Sequence, residues 1–127
     1  MEWSNRYVGL PFRDGANGPD AFDCWGLVRK VMSEQFNLQL PALDYARDQE
    51  ERWALVRTFE PEFHLTETPR DGALVLCAVN GRRAHLGVCV GGHSLLHMTK
   101  NQGAVVVPLE SSRVKNGITG YYLPNSR

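Results

Sequence analysis

The sequence predicts an α+β domain, with helices first and packed on one face of a later antiparallel sheet of about five strands. Two observations carry that prediction. Apolar residues recur at helical spacing up to about residue 60, and from Ala73 onward they alternate with period two. Helices that precede a run of strands, without alternating with them, favour segregated layers over a parallel α/β sheet. The 127 residues make one domain, 1–127, large enough to bury roughly 65 to 70% of the surface its unfolded chain exposes.

Residues 11–22, PFRDGANGPDAF, are dense in Gly, Pro, Asn and Asp and read as an ordered loop. A helix follows over about 23–36. Asp23 caps it by accepting from first-turn N–H groups, and Leu27, Val28, Val31 and Met32 form its apolar stripe. A second helix is predicted from about Asp44 to Phe59, with Trp53, Val56 and Phe59 on one side, ended with the help of Pro61. The strands are ALVLCAV, AHLGVCV, HSLLHM, GAVVVPL and ITGYYL. They are separated by Asn80-Gly81, Gly91-Gly92, residues 101–103 and a polar stretch near Ser111, which predicts a meander.

Basic and acidic residues balance at a formal net charge of +0, so the footprint of a nucleic-acid binder is absent and no such partner is expected. No apolar stretch reaches the length of a membrane span, and the start MEWSNRYVGLPF does not read as a signal peptide. The expectation is a chain made in the cytoplasm without membrane insertion. Three cysteines, an odd number, argue against a disulfide framework. No Cys-x-x-Cys or His-x-x-x-His spacing calls for a metal, and no cofactor is expected.

Cys77 and Cys89 sit inside apolar strand patterns, where a thiol is a small hydrophobe. A hairpin turning at Asn80-Gly81 puts them on opposite faces by parity. Cys24 is different, because it opens a helix behind an accessible loop. The helix end supplies about 0.3 to 1 kcal/mol toward a thiolate, and the neighbouring Asp23 charge opposes it. A cationic partner is therefore required.

The four histidines supply one. His64, in a polar linker, and His93, beside a glycine turn, are expected to face solvent. His85 and His97 lie in strands on either side of Gly91-Gly92. A two-residue loop sends the two imidazoles to opposite faces. A three-residue loop over Val90 to Gly92, with Gly92 left-handed, pairs Cys89 with His93 and His85 with His97 on one face beneath a helix. The second arrangement is the expectation here, because it gives Cys24 a base in His85 and gives His85 an orienting partner in His97.

The stretches DCWGLV, RAHLGVCVG and SLLHM, in that order, resemble the NlpC-type family of papain-like cell-wall endopeptidases. GLPFRDGANGPDAFDCWG is similar to the loop that leads to that family's Asp-Cys pair, TPRDGALVL to the lead into its first central strand, and GYYLP to the ending of its bacteriophage tail members. The resemblance implies a papain-like fold and a Cys24, His85 and His97 triad. It also implies hydrolysis of peptidoglycan stem peptides, between D-γ-glutamate and the following diamino acid. Phe12, Arg13, Asp23 and Trp25 become the expected substrate-binding residues, with Asp14 and Asp20 as further loop charges. Tail-tip proteins become expected partners, with the virion tail and the cell wall as the place of action. Phe12 stands where many members carry a Tyr whose hydroxyl assists the oxyanion, and Tyr7 is a candidate replacement. That departure keeps open a second reading, a weak or inactive docking module of a tail tip.

Overall fold

The structure is a computed structural model that describes residues 3–16, 18–41, 62–79 and 82–125. A 3-10 turn at Trp3–Arg6 leads through an irregular loop into helix α1, Cys24–Phe36. Six strands follow: β1 Phe63–Thr66, β2 Leu74–Val79, β3 Arg82–Val90, β4 Ser94–Thr99, β5 Gly103–Pro108 and β6 Ile118–Pro124. A short helix α2, Ser112–Lys115, lies between the last two. The second helix expected at 44–59 falls outside the described residues.

Helix α1 begins where the sequence says it should. The Asp23 side chain accepts from the Gly26 N–H at 2.7 Å and satisfies one of the donors that a helix start leaves over. It ends at Asn37, whose left-handed backbone turns its N–H back to the Met32 carbonyl. Leu27, Val28, Val31 and Met32 are at most 1% exposed. Each contributes about 1.5 to 3 kcal/mol by leaving water, so one charge in this stripe, such as Val31→Asp, would release the helix from the sheet.

All strand pairs are antiparallel, and the sheet order is β1-β6-β2-β3-β4-β5. The five predicted strands are present. The meander is not complete, because β6 leaves β5 and returns to lie between β1 and β2. The sixth strand, β1, was expected as linker. It pairs Phe63–Thr66 with Tyr121–Pro124; its FHLT does alternate, but four residues with none of them buried are too short a run to stand out from a linker.

The sheet is buried on both faces. Leu74, Leu76, Leu86, Val88, Val90, Leu96 and Met98 join the α1 stripe in the main core. Ala73, Val75, Cys77, Cys89 and Leu95 form a second cluster with Leu109, Val114 and Leu123. Cys77 and Cys89 thus share a face, contrary to the parity expectation. A β-bulge between Cys77 and Ala78 shifts the register by one residue and places Cys77 opposite His85. Both thiols are free. Cys89 is four residues beyond His85 along β3, about 13 Å at strand rise, so distance rather than parity keeps them apart.

Candidate active site

The chain that delivers Cys24 is laced to the far side of the sheet. Gly9 donates to the Ala104 carbonyl and Ala104 to the Leu10 carbonyl, which fastens the N-terminal segment to the free edge of β5. Phe22 N–H then bonds the Pro11 carbonyl, Arg13 N–H the Phe22 carbonyl, and Asp23 N–H the Ala16 carbonyl. These bonds fix the residues just before the helix, and β5 is the neighbour of the strand that carries His97. Cys24 itself is partly buried against the main core.

The two imidazoles meet. His85 Nε2 lies 2.8 Å from His97 Nδ1, with ring centroids 5.0 Å apart and planes at 80°. The register that brings them together differs from the expected one. The loop is Gly91-Gly92-His93, Val90 pairs with Ser94, and His97 stands opposite Gly87, two residues from His85. Both glycines have positive φ, so Gly92 is left-handed as expected and Gly91 is as well. The shift is by two, so the parity survives: His85 and His97 share a face, and they touch as diagonal neighbours.

Their position relative to the helix is a second correction. The α1 stripe covers Leu86, Val88, Val90, Leu96 and Met98, whereas His85 and His97 belong to the alternate set with Gly87, Cys89 and Leu95. The pair is not beneath the body of the helix.

Burial holds the imidazoles neutral. His85 is lowered from 6.5 to about 4, first by loss of water and then by the neighbouring His97, whose charge opposes a second one. Burial lowers His97 as well. Both shifts favour uncharged imidazoles near neutral pH, whereas the sequence suggests a resting thiolate–imidazolium pair. A neutral His85 that uses Nδ1 as base carries its proton on Nε2 and donates it to His97 Nδ1, so His97 must hold its own proton on Nε2. The inter-ring bond is then the same whether or not His85 gains a second proton. Among the described residues nothing else bonds the His85 Nδ1. No buried side-chain nitrogen or oxygen is left unpaired among the described residues.

The other thiols are of a different kind. Burial pushes Cys77 and Cys89 up to about 11, with Asp71 adding to the effect at Cys89 and the Gly92 backbone opposing it. His64 and His93 are exposed, the former 3.2 Å from the Asn125 side chain and the latter 2.9 Å from Ser94 Oγ.

The remaining expected site residues separate into two groups. Phe12 is half-buried against the core and bridges Phe22, and Arg13, Asp14 and Asp20 are exposed on the loop. Asp23 and Trp25 are taken into the fold: Asp23 is buried as the helix cap, and the Trp25 indole N–H donates to the Pro41 carbonyl at 2.9 Å. Tyr7 does not replace the missing hydroxyl near Phe12. Its oxygen donates to Glu34 at 2.8 Å and accepts from Gln35 at 3.0 Å, at the other end of α1.

One positioning group escaped the sequence reading. Asp71 accepts from the Trp3 indole and from the Gly91 N–H at 2.7 Å, tying the N-terminal turn to the β3–β4 loop. Its signal was the acidic residue before Gly72 in the lead into β2.

Comparison with solved structures places the fold. The NlpC/p60 domain of the peptidoglycan hydrolase SagA superposes with a TM-score of 0.63 at 15% identity, covering 94% of this chain and 92% of that one. An NLP/P60 family protein from Staphylococcus aureus subsp. aureus Mu50 gives 0.65 at 18% identity, covering 94% and 38%. In sequence, the chain is 28% identical over 100 residues to the murein DD-endopeptidase MepS/murein LD-carboxypeptidase of Escherichia coli K12, covering 79% of this chain and 48% of that protein. It is 24% identical over 121 residues to the gamma-DL-glutamyl hydrolase of Bacillus subtilis 168, covering 94% and 27%. The chain spans about half the length of the first of these relatives and about a quarter of the second. An α+β fold with, among the described residues, helix α1 on a six-stranded sheet agrees with a family profile that matches residues 9–122, and the chain belongs to the NlpC/P60 family.

Proposed function

We propose that this domain is a cysteine peptidase that hydrolyses peptidoglycan stem peptides, with Cys24 as nucleophile, His85 as base and then acid, and His97 as the group that holds His85. The observation that carries the reading is the 2.8 Å bond between His85 Nε2 and His97 Nδ1, which fixes the ring and leaves Nδ1 as its open nitrogen. The NlpC/P60 profile and the murein named in the Escherichia relative support the substrate class.

The steps follow from these roles. His85 Nδ1 accepts the Cys24 proton as the sulfur attacks the amide carbonyl, and charge on each partner stabilises charge on the other. Backbone donors at the start of α1 stabilise the oxyanion. The C–N bond breaks, the leaving amine takes the proton from His85, and a thioester remains. Water then gives its proton to His85, attacks the thioester and releases the thiol. Throughout, His97 keeps the imidazole in one orientation, the part a carboxylate plays in other triads.

The proposed scissile bond joins D-γ-glutamate to the diamino acid; the name of the Bacillus relative shares the γ-glutamyl part of that bond and mentions no diamino acid. The Escherichia relative is named for other bonds, so the test uses several. Purified muropeptides carrying each bond are incubated with the protein, and products are identified by mass. A new free amine and a hydrolysed acid are expected with the native protein and not with Cys24→Ala.

One observation favours a second reading. Phe12 has no hydroxyl and Tyr7 is occupied elsewhere, so a donor to the oxyanion is missing, a loss of about 100 to 1000 fold in rate. A weak or inactive docking module of a tail tip fits that deficit, and unchanged muropeptides across all wall chemistries would favour it. The proposed setting, a phage tail acting at the wall alongside other tail-tip proteins, rests on the GYYLP ending. Immunodetection in purified particles tests it.

A further inference from the structure

We propose that Gly87 is a positioning residue for the imidazole pair: its missing side chain is what lets β4 carry His97 against His85. This inference deepens the proposed peptidase reading and rests on it. Gly87 lies two residues after His85 and directly opposite His97. Its φ lies outside the left-handed region, so no backbone conformation demands glycine there. What demands it is room. A Cβ at Gly87 would stand 2.5 Å from Leu95 Cδ1, 2.7 Å from the Leu96 carbonyl oxygen and 3.1 Å from His97 Cβ.

None of these neighbours yields easily. Leu95 is fully buried in the second cluster, so its methyl has no open space to turn into. The Leu96 oxygen is backbone, held where β4 pairs with Val88 on one side and Val106 on the other. A methyl group at position 87 must therefore displace β4 relative to β3 at the point where the His97 side chain departs. The inter-ring bond is already at hydrogen-bond length, and hydrogen bonds weaken steeply as distance and angle depart from it. A glycine inside an otherwise apolar strand marks such close approach.

Gly120 in β6 supplies the matched control. A Cβ there would meet Tyr122 Cε2 at 2.9 Å and Leu65 Cδ1 at 3.1 Å, both ends of side chains and neither of them near the imidazoles in the sheet order. The experiment compares Gly87→Ala with Gly120→Ala. The readout is the ring proton shared by His85 Nε2 and His97 Nδ1, observed by nitrogen-edited NMR at neutral pH, together with kcat and KM on muropeptides.

The bridging proton is expected in the native protein and in Gly120→Ala and is expected to vanish in Gly87→Ala, with kcat lower by about ten- to a hundredfold and KM little changed. Should Gly87→Ala not fold, Gly87→Ala in a Leu95→Ala background, which removes the nearest clash and leaves those with Leu96 and His97, is compared with Leu95→Ala alone. Retention of the bridging proton in the position 87 variant, with kcat equal to its control, would overturn the inference. Failure of the peptidase reading looks different: Cys24→Ala would match the native protein in rate, while the NMR signal would still report on Gly87.

Discussion

The two ends of α1 carry similar polar equipment and do different work. At the start, a buried carboxylate takes a backbone donor and the next residue is a cysteine, the first of the helix, behind a loop pinned to β5. At the far end, about 15 Å along the axis, a buried tyrosine hydroxyl sits between Glu34 and Gln35. Burial raises the Tyr7 hydroxyl above its ordinary 10.0, and the Lys30 ammonium keeps Glu34 below its ordinary range, so this end is a closed network of structural bonds. The start of the helix carries the thiol, and the partners proposed for it are two imidazoles on β3 and β4. The difference teaches that a hydroxyl of the right type is not a catalytic donor unless the fold delivers it to the right end.

The largest expected effect tests the catalytic end. His85→Ala should lower kcat on muropeptides by about 100 to 10,000 fold while the circular dichroism spectrum stays that of a folded protein. A drop of less than threefold would dissolve the contrast between the ends.

The acidity of His85 sharpens it further. Because the folded value is lowered from 6.5 to about 4, the unfolded chain binds more protons than the folded one between those two values. Stability is therefore full above pH 6.5 and is lost progressively as pH falls toward 4. Hydrolysis that needs neutral His85 should persist below pH 6.5, where an ordinary imidazole is charged. Urea unfolding and rates at a series of pH values check both, and His85→Ala should flatten the stability profile in that window.

Next in size is the cap. Asp23→Ala leaves the Gly26 N–H without its acceptor and should cost about 0.5 to 2 kcal/mol in urea unfolding. The smallest effect belongs to the structural end: Tyr7→Phe should cost about 1 kcal/mol through the lost bonds to Glu34 and Gln35, with kcat unchanged. A fall in kcat with Tyr7→Phe would mean that the hydroxyl does reach the chemistry.

How much of this was legible depended on the range of the interaction. Asp23 before an apolar stripe gives the start of α1 because capping is local, and period two gives the five strong strands for the same reason. Strand β1 was missed because Phe63–Thr66 is mostly exposed and pairs with residues about sixty positions away, which no local pattern records. The place of β6 between β1 and β2 was missed for that reason too. The shared face of His85 and His97 was legible, since any loop of odd length preserves parity, but Gly91-Gly92 fits more than one such loop. The turn closes through the His93 N–H on the Val90 carbonyl, which moves the register by two. The face of Cys77 was misread because a single bulged residue reverses parity. Neutral imidazoles were beyond the sequence, since burial is a property of the assembled sheet.

Purified muropeptides incubated with native protein and with Cys24→Ala, and read by mass for a new free amine, test the central claim most directly. Cleavage by the native protein and none by the variant is the expected result. Equal cleavage by both would contradict that claim.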